Sequence, residues 1–556
     1  MDIREITKDV SVAPQIAVDD LAAIKAAGFA SVISNRPDGE SADQPSIAEI
    51  KGAAEAAGLR VAHIPVVSGQ ITEADVAAFA KALADLPGPV LAFCKSGTRS
   101  ATLWTRAEAE KRPAADLLAR TQAAGYDMAS IVAQIAAVTD KKIAAPDVRA
   151  DIVIVGAGSA GIAVAASLLS RKKRLEITII DPSTVHYYQP GWTMVGAGVF
   201  DAKDTKRQTD TLIPAGVTWI KAAVAAFTPD ADAVILGDGR VVGYARLIVC
   251  PGLELNWDGI AGLSETLGRN GVTSNYRYDL APYTWKLVQG MKAGRAIFTQ
   301  PPMPIKCAGA PQKAMYLSGD AWFRRGVLKD IDIQFMNAGG VLFGVKEYVP
   351  ALMDYIAKYD ATLNFFHTLT AVDGDARTAT FKVTKPDTDP TEVTVDFDMI
   401  HVCPPQRAPA FIRNSSLADA AGWIDVDQAT LRHKTYENIW SLGDVMNAPN
   451  AKTMAAARKQ APVVAANVIA DIAGKSAAAI YDGYGSCPLT VERGKIVLAE
   501  FGYGGKLLPS FPTWLIDGTK PSRLAWTLKA QGLPQVYWHA MLKGREWMAE
   551  PEKTPA

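Results

Sequence analysis

The chain has 556 residues, which is long enough for three or four domains with separate cores. It carries 58 Lys and Arg against 58 Asp and Glu, so its formal charge is zero and no general attraction to nucleic acid is expected. Its five cysteines are an odd number and lie far apart, which argues against a secreted disulfide framework. The opening MDIREITKDV lacks an apolar run of signal-peptide type, so we expect a cytoplasmic protein.

Residues 1–138 alternate short apolar runs with Ala-rich helical patterns, and this alternation predicts a small α/β domain with a central sheet. Within it, PVLAFCKSGTRSATLW places Cys94 after a strand and Arg99 at the start of a helix. Backbone N–H groups of such a loop stabilise a thiolate or a bound oxyanion. The polar segment at 139–149 is typical of a linker.

This first domain resembles the small phosphatase-superfamily domain that accompanies beta-lactamase-hydrolase-like proteins. Two features depart from phosphatases: four residues separate Cys94 from Arg99 where five are usual, and VVSGQ (66–70) stands where the general-acid Asp is expected. The loop CKSGTRS also looks like the short active-site loop of rhodaneses, which implies a sulfurtransferase that uses Cys94 and Arg99. A phosphatase with Asp38 as its acid, and an inert Cys94 thiol, remain the alternatives.

A dinucleotide motif follows the linker. The stretch DIVIVGAGSAGIAVAASLLS puts Gly156, Gly158 and Gly161 directly after a strand, and the next strand ends in Asp181. Glycines at this spacing let backbone N–H groups approach a pyrophosphate at a helix N-terminus, while the acid accepts hydrogen bonds from ribose hydroxyls. Strand, glycines, helix and acid together predict a bound dinucleotide.

A second motif indicates which dinucleotide. In IWSLGDVMNAPNAKTMAAARKQ a strand ends in Gly443 and Asp444 before a helix, and this resembles the second FAD motif of flavoproteins with two dinucleotide-binding domains. In that motif the Asp contacts the ribityl chain, so we expect FAD. The predicted fold class is α/β: a Rossmann-like FAD domain over 151–285 and 400–475, and a domain like an NAD-binding domain over 286–399.

The second nucleotide loop is replaced by PPMPIKCAGAPQ (301–312). It lies between GRAIFTQ (294–300), typical of a buried strand, and a helical pattern over 313–325. Prolines have no N–H and fix φ, so this turn cannot offer a ring of amides to a pyrophosphate. It carries Cys307 instead, and we expect a domain that keeps its architecture without binding NADH.

Six segments of this part of the chain are distinctive: HYYQPGWTMVGAG, PIKCAGAPQKAMYLS, FGVKEY, ADAAGWIDVD, GDVMNAPNAKTMAAA and YDGYGSCPLT. In these segments the chain resembles sulfide:quinone oxidoreductases, in particular the branch that includes the mitochondrial enzyme. The resemblance covers about residues 151–548. It implies that Cys307 and Cys487 form a redox pair beside the flavin, each of them in a turn that carries Pro and Gly.

The resemblance also implies a reaction. Hydrosulfide attacks the bridged pair at Cys487 and releases Cys307 as a thiolate, and two electrons pass through FAD to a membrane quinone. The sulfane sulfur then leaves to an acceptor such as glutathione or sulfite. The same resemblance places Gln189, Pro190 and Lys452 along the FAD. We predict no metal site and no nucleic-acid partner, and a homo-oligomer is left open.

Other residues near the pair have open interpretations. Lys306 and Lys313 flank Cys307, and they either lower its pKa or lie solvated on the surface. Cys250 and Cys403 each end an apolar strand-like run, which favours small buried hydrophobes.

The last region, 476–556, holds Cys487 and a tail rich in tryptophan. Residues 521–550 predict two short helices split at Gly532–Pro534, with basic residues such as Lys529 between the apolar ones. Crossing a bilayer takes roughly 20 apolar residues, more than either helix has. We therefore expect peripheral attachment at the cytoplasmic face of a membrane, with a helix pair packed on the protein as the alternative.

The sequence also allows two rival functions. One is a flavoenzyme like type-II NADH:quinone oxidoreductases, which the missing second fingerprint and the cysteine pair disfavour. The other is a flavin and thiol redox sensor. Either rival leaves room for a phosphatase as the first domain.

Overall fold

The computed structural model describes residues 2–41, 44–67, 71–129, 131–132, 135, 146–449 and 451–553. Parts of the segments interpreted above fall outside these residues: 68–70 of the VVSGQ stretch, 136–145 with the expected end of the first domain and most of the linker, 450 of the second FAD motif, and 554–556 of the last region. Within the described residues the chain divides into two compact units.

Strands and helices alternate along much of the chain. The strands are β1 (Arg4–Thr7), β2 (Val10–Ala13), β3 (Ser31–Ser34), β4 (Arg60–His63), β5 (Val90–Phe93), β6 (Val148–Val155), β7 (Ile177–Ile180), β8 (Val185–Tyr187), β9 (Lys206–Gln208), β10 (Thr218–Ile220), β11 (Val224–Thr228), β12 (Ala233–Leu236), β13 (Val241–Val249), β14 (Glu254–Leu255), β15 (Val272–Thr273), β16 (Gly294–Gln300), β17 (Ile331–Asn337), β18 (Ala361–Phe365), β19 (His367–Asp373), β20 (Thr378–Val383), β21 (Thr391–Asp396), β22 (Met399–His401), β23 (Gln406–Arg407), β24 (Ile439–Ser441), β25 (Ala479–Ile480), β26 (Gly485–Glu492), β27 (Lys495–Phe501) and β28 (Glu552–Lys553). The α-helices are α1 (Asp20–Ala26), α2 (Ile47–Ala56), α3 (Glu73–Asp85), α4 (Thr98–Ala107), α5 (Ala114–Ala123), α6 (Ser159–Arg171), α7 (Trp192–Val195), α8 (Leu263–Thr266), α9 (Ala281–Gly290), α10 (Ala310–Arg325), α11 (Val349–Lys358), α12 (Ala410–Arg413), α13 (Met454–Ile472), α14 (Arg523–Thr527) and α15 (Leu533–His539).

The first unit comprises Met1–Ala150, Ala222–Tyr244 and Ala410–Ala418. Its main sheet has the order β1-β2-β5-β3-β4, and all its pairs are parallel except β1 with β2. Alternate residues of β3 pack on opposite faces, with Val32 in one core cluster and Ile33 in the other. Strands buried on both faces are typical of α/β sheets, so the predicted small α/β domain is confirmed.

The second unit comprises Asp151–Lys221, Ala245–Pro409 and Asp419–Ala556. Its first sheet runs β10-β7-β6-β13, with β24 beside β13 in parallel. Helix α6 follows β6, helix α13 follows β24, and the two helices pack against each other. The two predicted nucleotide motifs are therefore neighbours at the carboxyl edge of one parallel sheet, where α/β proteins bind their ligands.

A second parallel sheet of this unit has the order β15-β22-β16-β17-β18. Strand β16 has the bounds predicted for GRAIFTQ. The helix after the turn begins at Ala310, three residues before the predicted start, and Pro311 lies in its first turn. Proline is favourable there because its missing N–H has no partner in a helix anyway. The expected domain architecture is thus present around the Cys307 turn.

The hairpin β26–β27 and the tail differ from expectation. Cys487 lies within strand β26, not in a turn. The tail is not split at Gly532: a π-helical turn over Leu528–Gly532 joins α14 to α15. Part of the tail packs on the protein, since Ala525 is in the same core cluster as Leu498 of the hairpin. Across the described residues, no helix is both long and apolar enough to cross a bilayer.

Candidate active site

Cys307 lies in the turn between β16 and α10 and has φ of +52°, a region that L-residues rarely adopt. Such a backbone costs roughly 1–2 kcal/mol in a non-glycine residue. Neighbouring groups hold it there. The Cys307 N–H donates to the Lys452 carbonyl at 2.9 Å, and the Tyr276 hydroxyl donates to the Lys306 carbonyl at 3.0 Å. The thiol is therefore fixed by its backbone.

Cys487 approaches the same point from strand β26. It pairs with Ala499 of β27, and its side chain is buried. Gly309 leaves room for the sulfur, because a Cβ at that position would lie 2.4 Å from the Cys487 Sγ. The two sulfurs of Cys307 and Cys487 are 3.4 Å apart, compared with about 2.05 Å in a disulfide. The pair is held as neighbouring thiols, close enough to bridge.

Lys313 places a positive charge beside the cysteine pair. It lies in the first turn of α10, is 3% exposed, and donates to the Cys307 Sγ at 3.1 Å. The hydrogen bond with Cys487 and the charge of Lys313 outweigh burial and hold the pKa of Cys307 well below its ordinary 9.0. The hydrogen bond with Cys307 and burial raise the pKa of Cys487. The lower pKa and the Lys313 hydrogen bond favour Cys307 as the thiolate, and the solvated interpretation of Lys313 is wrong because its side chain is buried.

The other two lysines near the pair have different partners. The Lys306 Nζ lies 3.3 Å from the Asp444 carboxylate and also bonds the Gln189 side chain. Lys529 of the tail is only 4% exposed and donates to the Pro190 carbonyl at 3.0 Å. Burial and the charge of Lys313 lower the pKa of Lys529 to about 7. The sequence placed Lys529 among the basic residues of the tail, and in the structure its side chain turns inward and is buried.

Two cavities meet at this place in the second unit. The larger, about 500 Å³, is lined by Cys307, Lys313 and Lys529 and by many apolar side chains. The smaller, about 240 Å³, is lined by Gly158, Asp181 and the Gly443–Asp444 turn. Gln189, Pro190, Lys306, Thr453 and Met454 are among the residues that line both. A long ligand can therefore extend from the nucleotide motifs to the thiol pair.

The first nucleotide motif fits a pyrophosphate. A Cβ at Gly161 would lie 1.8 Å from the Gly156 carbonyl oxygen, so only glycine lets α6 start this close to the turn. A Cβ at Gly158 would meet open space, on the side of the smaller cavity. Asp181 accepts a hydrogen bond from the Ala157 N–H at 2.6 Å. Helix amides and a nearby carboxylate are the groups that a dinucleotide requires.

Hydrogen bonds hold the Gly443–Asp444 turn and Lys452, the remaining predicted cofactor residues. The Gly443 N–H donates to the Gln460 side chain at 2.8 Å, which fixes the turn that carries Asp444. The Lys452 ammonium donates to the carbonyls of Asp444 and Met446, each at 2.8 Å. Lys452 thus stabilises this loop through two of its backbone carbonyls. Contact of Lys452 with the cofactor stays a prediction.

In the first unit, Cys94 follows β5 and is buried at the carboxyl end of the sheet. Arg99, in the first turn of α4, donates to the Val66 carbonyl at 2.6 Å and to the Glu40 carboxylate at 2.8 Å. Burial disfavours its charge, but the bond to Glu40 and the nearby Cys94 raise the pKa of Arg99 above its usual value. The structure thus brings Cys94 and Arg99 together, as the sequence predicted.

Asp38 has a different partner. Its carboxylate accepts a hydrogen bond from the Ile47 N–H at 2.8 Å, at the start of α2. A role as general acid would require the side chain to leave this position.

The sequence analysis missed several side chains in the larger cavity, among them Glu500, Tyr484 and Asn275. A signal for Glu500 exists: in KIVLAEF it falls in phase with Ile496 and Leu498, so a carboxylate lies on an otherwise apolar strand face. Asn275 carries no such signal, because only the fold brings it to the cavity.

Comparison with known proteins agrees with this geometry. The family model described as pyridine nucleotide-disulphide oxidoreductase matches residues 150–282. A mitochondrial sulfide:quinone oxidoreductase of Dictyostelium discoideum is 42% identical over 412 residues, which are 73% of this chain and 89% of the relative. The chain belongs to the sulfide:quinone oxidoreductase family. Membership implies a flavin cofactor, and nothing in the comparisons supports the expected cytoplasmic face.

The fold of the family is also found here. The X-ray structure of the sulfide:quinone oxidoreductase from Aquifex aeolicus has a TM-score of 0.60 at 18% identity and covers 73% of this chain and 98% of its own.

The first unit is similar to a different family. The family model described as beta-lactamase hydrolase-like protein, phosphatase-like domain, matches residues 2–111. A beta-lactamase hydrolase-like protein of Agrobacterium fabrum is 44% identical over 104 residues, 19% of this chain and 24% of that protein.

Lys313→Met should raise the pKa of Cys307, because the thiolate loses its ammonium partner. A thiol is alkylated as the thiolate, which exists above its pKa; the depressed native pKa therefore keeps Cys307 reactive as the pH falls below the range of an ordinary thiol. In the variant, alkylation of reduced protein near pH 6 should slow by about tenfold or more. Mass spectrometry of the Cys307 peptide measures this, and Lys313→Arg is the matched control that keeps the charge. Identical pH profiles for wild type and Lys313→Met contradict the assignment.

Proposed function

We propose that the protein oxidises sulfide to sulfane sulfur at Cys307 and Cys487 and passes two electrons through FAD to a membrane quinone. The observation that supports this most strongly is that the two sulfurs lie 3.4 Å apart and that the buried Lys313 ammonium donates a hydrogen bond to the Cys307 sulfur. A structural pair of buried thiols needs no charged partner, and a buried ammonium is costly without one. The arrangement supports thiol–disulfide chemistry.

The difference in pKa between Cys307 and Cys487 determines which of the two sulfurs hydrosulfide attacks. When the pair is bridged, hydrosulfide attacks the Cys487 sulfur and the bridging bond breaks. Its electron pair leaves on Cys307, whose thiolate is stabilised by Lys313. The thiol of lower pKa is the better leaving group, and that is Cys307. The product is a persulfide on Cys487, with the proton of hydrosulfide retained on the outer sulfur or released to solvent.

The cycle closes through a sulfur acceptor. A nucleophile such as the glutathione thiolate or sulfite attacks the outer sulfur, and Cys487 leaves as a thiolate. The two cysteines then lose two electrons and form their bridge again. FAD, when bound, would supply the oxidant for this step and would pass the two electrons on to a quinone. In sum, hydrosulfide, a thiolate acceptor, quinone and one proton give the persulfide of the acceptor and the quinol.

The residues around the smaller cavity support FAD as the dinucleotide. We assign the amides at the start of α6, opened by Gly156, Gly158 and Gly161, to the pyrophosphate. Asp181 would accept from ribose hydroxyls, and Asp444 would face the ribityl chain. Gln189 and Pro190 line both cavities and would lie along the flavin.

Replacing either Cys307 or Cys487 by Ser should abolish sulfide-dependent reduction of a short-chain quinone, by at least about 100-fold, because serine cannot form the bridge. The assay follows quinone absorbance with flavin content measured in the same samples. Cys403→Ala is the matched control, since it removes another buried thiol and should retain most activity. Retained activity in either serine variant overturns the proposed pair.

We propose peripheral attachment to a membrane through the tail. Several of its apolar side chains are exposed, with Trp514 at 83% and Trp547 at 63%, beside Leu515, Leu524 and Met548. Trp547 and Met548 also line the larger cavity, so a lipid-soluble quinone would enter next to the bilayer.

Trp514→Ala should weaken sedimentation with phospholipid vesicles by about tenfold, because burying one aromatic side chain contributes roughly 1.5–3 kcal/mol. Met353→Ala removes an exposed apolar residue of α11 instead and should leave binding unchanged. Equal binding of all three proteins contradicts attachment through this tail.

For the first unit we propose a sulfurtransferase that carries the outgoing sulfur on Cys94. The helix start at Thr98 supplies N–H groups, and Arg99 is held beside the thiol by Glu40. The loop between Cys94 and Arg99 is one residue shorter than in phosphatases, which suits one sulfur atom better than a phosphate.

Transfer of sulfur from glutathione persulfide to cyanide should be lost in Cys94→Ala, measured as thiocyanate in the full chain with Cys307→Ser and Cys487→Ser. Ser96→Ala is the matched control in the same loop. Thiocyanate formation that persists without Cys94 contradicts the proposal. Hydrolysis of a phosphate monoester that depends on Cys94, with no sulfur transfer, favours the phosphatase instead.

A further inference from the structure

The hairpin β26–β27 has two chemically different faces. Side chains alternate along a strand, so Cys487 and Ala499 point to one face and Ser486 and Glu500 to the other. Cys487 and Ala499 belong to the core cluster that Cys307 packs against. Ser486 and Glu500 instead line the larger cavity. The hairpin therefore presents a carboxylate to that cavity, on the face opposite to Cys487.

Glu500 is 5% exposed and lies in mainly apolar surroundings. Around it the cavity is lined by Leu498, Phe511, Leu528, Leu533 and Val536. A buried carboxylate is costly unless it is hydrogen-bonded or ion-paired. Among the described residues no Lys or Arg forms an ion pair with Glu500, so its direct polar contacts are hydrogen bonds, and the charge of Lys459 acts on it from a longer distance. A carboxylate that is so costly to bury on an apolar cavity wall indicates a functional role for Glu500.

Three donors hold the Glu500 carboxylate. The Tyr484 hydroxyl donates to Oε1 at 2.6 Å, the Ser510 hydroxyl donates to Oε1 at 2.5 Å, and the Ser510 N–H donates to Oε2 at 3.1 Å. Tyr484 and Ser510 also line the cavity, and their oxygens are 3.1 Å apart. The three side chains form one connected set of exchangeable protons at the cavity wall.

Charged groups reach this set from helix α13. The Lys459 Nζ lies 5.4 Å from the ring centre of Tyr484, and Arg458 lines the cavity and bonds the Trp547 carbonyl. Burial lowers the pKa of both cations. Burial and the charge of Glu500 raise the pKa of Tyr484, so its phenol keeps its proton at neutral pH. Tyr348, the residue before α11, meets Glu500 at its backbone: its hydroxyl donates to the Glu500 carbonyl and accepts from the Glu500 N–H, each at 3.0 Å.

We propose that Glu500, with Tyr484 and Ser510, relays protons to a quinone bound in the larger cavity. The inference rests on the proposed function, in which a quinone takes two electrons from the cofactor. As the electrons arrive, the Tyr484 O–H bond breaks and its proton forms an O–H bond on a quinone oxygen. A proton from solvent then binds the Glu500 carboxylate and passes from it to the Tyr484 oxygen, so that the phenol and the carboxylate are both restored. A second pass supplies the second proton of the quinol.

The test separates oxidants that need protons from one that does not. Reduced Glu500→Gln protein is mixed in a stopped-flow instrument with a short-chain quinone or with ferricyanide, which accepts electrons without protons. We expect reoxidation by quinone to slow by about 100-fold, the usual size of a general acid contribution, and reoxidation by ferricyanide to stay within about twofold. Equal slowing with both oxidants, or with neither, overturns the relay.

Two further variants complete the test. Glu492→Gln is the matched control, because Glu492 is a buried carboxylate of the same hairpin but is paired with Lys358 and Lys495 and does not line the cavity. It should reoxidise like wild type with both oxidants. Tyr484→Phe should slow quinone alone, and it decides the question if Glu500→Gln does not fold.

Failure of the relay and failure of the proposed function can be told apart. Reduction by dithionite replaces sulfide, so the Glu500 comparison is made even if sulfide leaves the flavin unchanged. A wild-type protein that sulfide does not reduce overturns the proposed sulfide chemistry. A wild-type protein that ferricyanide reoxidises and quinone does not overturns the proposed quinone acceptor, whereas equal behaviour of wild type and Glu500→Gln with a quinone that does reoxidise them overturns the relay alone.

Discussion

The contact between the Lys313 ammonium and the Cys307 thiolate is the interaction on which the chemistry of the second unit depends. Each charge is costly to bury alone, and each is tolerable beside the other. The strained backbone at Cys307, the space left by Gly309 and the first turn of α10 all serve to place the sulfur next to that ammonium and within 3.4 Å of Cys487. The result is a pair of unequal thiols, one suited to leave and the other to carry sulfur.

The hairpin β26–β27 gives the second constraint. Because side chains alternate along a strand, one hairpin presents Cys487 to the core that holds Cys307 and Glu500 to an apolar cavity. Sulfur chemistry and quinone chemistry need different surroundings: the first a stabilised thiolate, the second apolar walls and a source of protons. In the proposed reaction a single antiparallel pair of strands would supply both, with the predicted flavin site beside it.

Local patterns in the sequence predicted the parts of the fold that depend on neighbours in the chain. The strand at 294–300, the Gly156–Gly161 turn with its helix, and the Cys94 loop are all of this kind. Contacts between distant segments were not predictable in the same way. Cys487 was expected in a turn because Gly485 and Pro488 flank it, but pairing with β27 extends the strand through both. Lys529 is 216 residues from Lys313 in sequence, and only tertiary packing turns it inward.

The central claim is that electrons from sulfide pass through the Cys307–Cys487 pair to the flavin. An anaerobic titration of the purified full chain with sulfide, followed by flavin absorbance, tests it most directly. With glutathione present as the sulfur acceptor, about one equivalent of sulfide should bleach the flavin of the wild-type protein, because oxidation of one sulfide to sulfane sulfur releases two electrons. The flavin of Cys487→Ser should stay oxidised. A flavin that stays oxidised with excess sulfide and bleaches with NADH would contradict the claim.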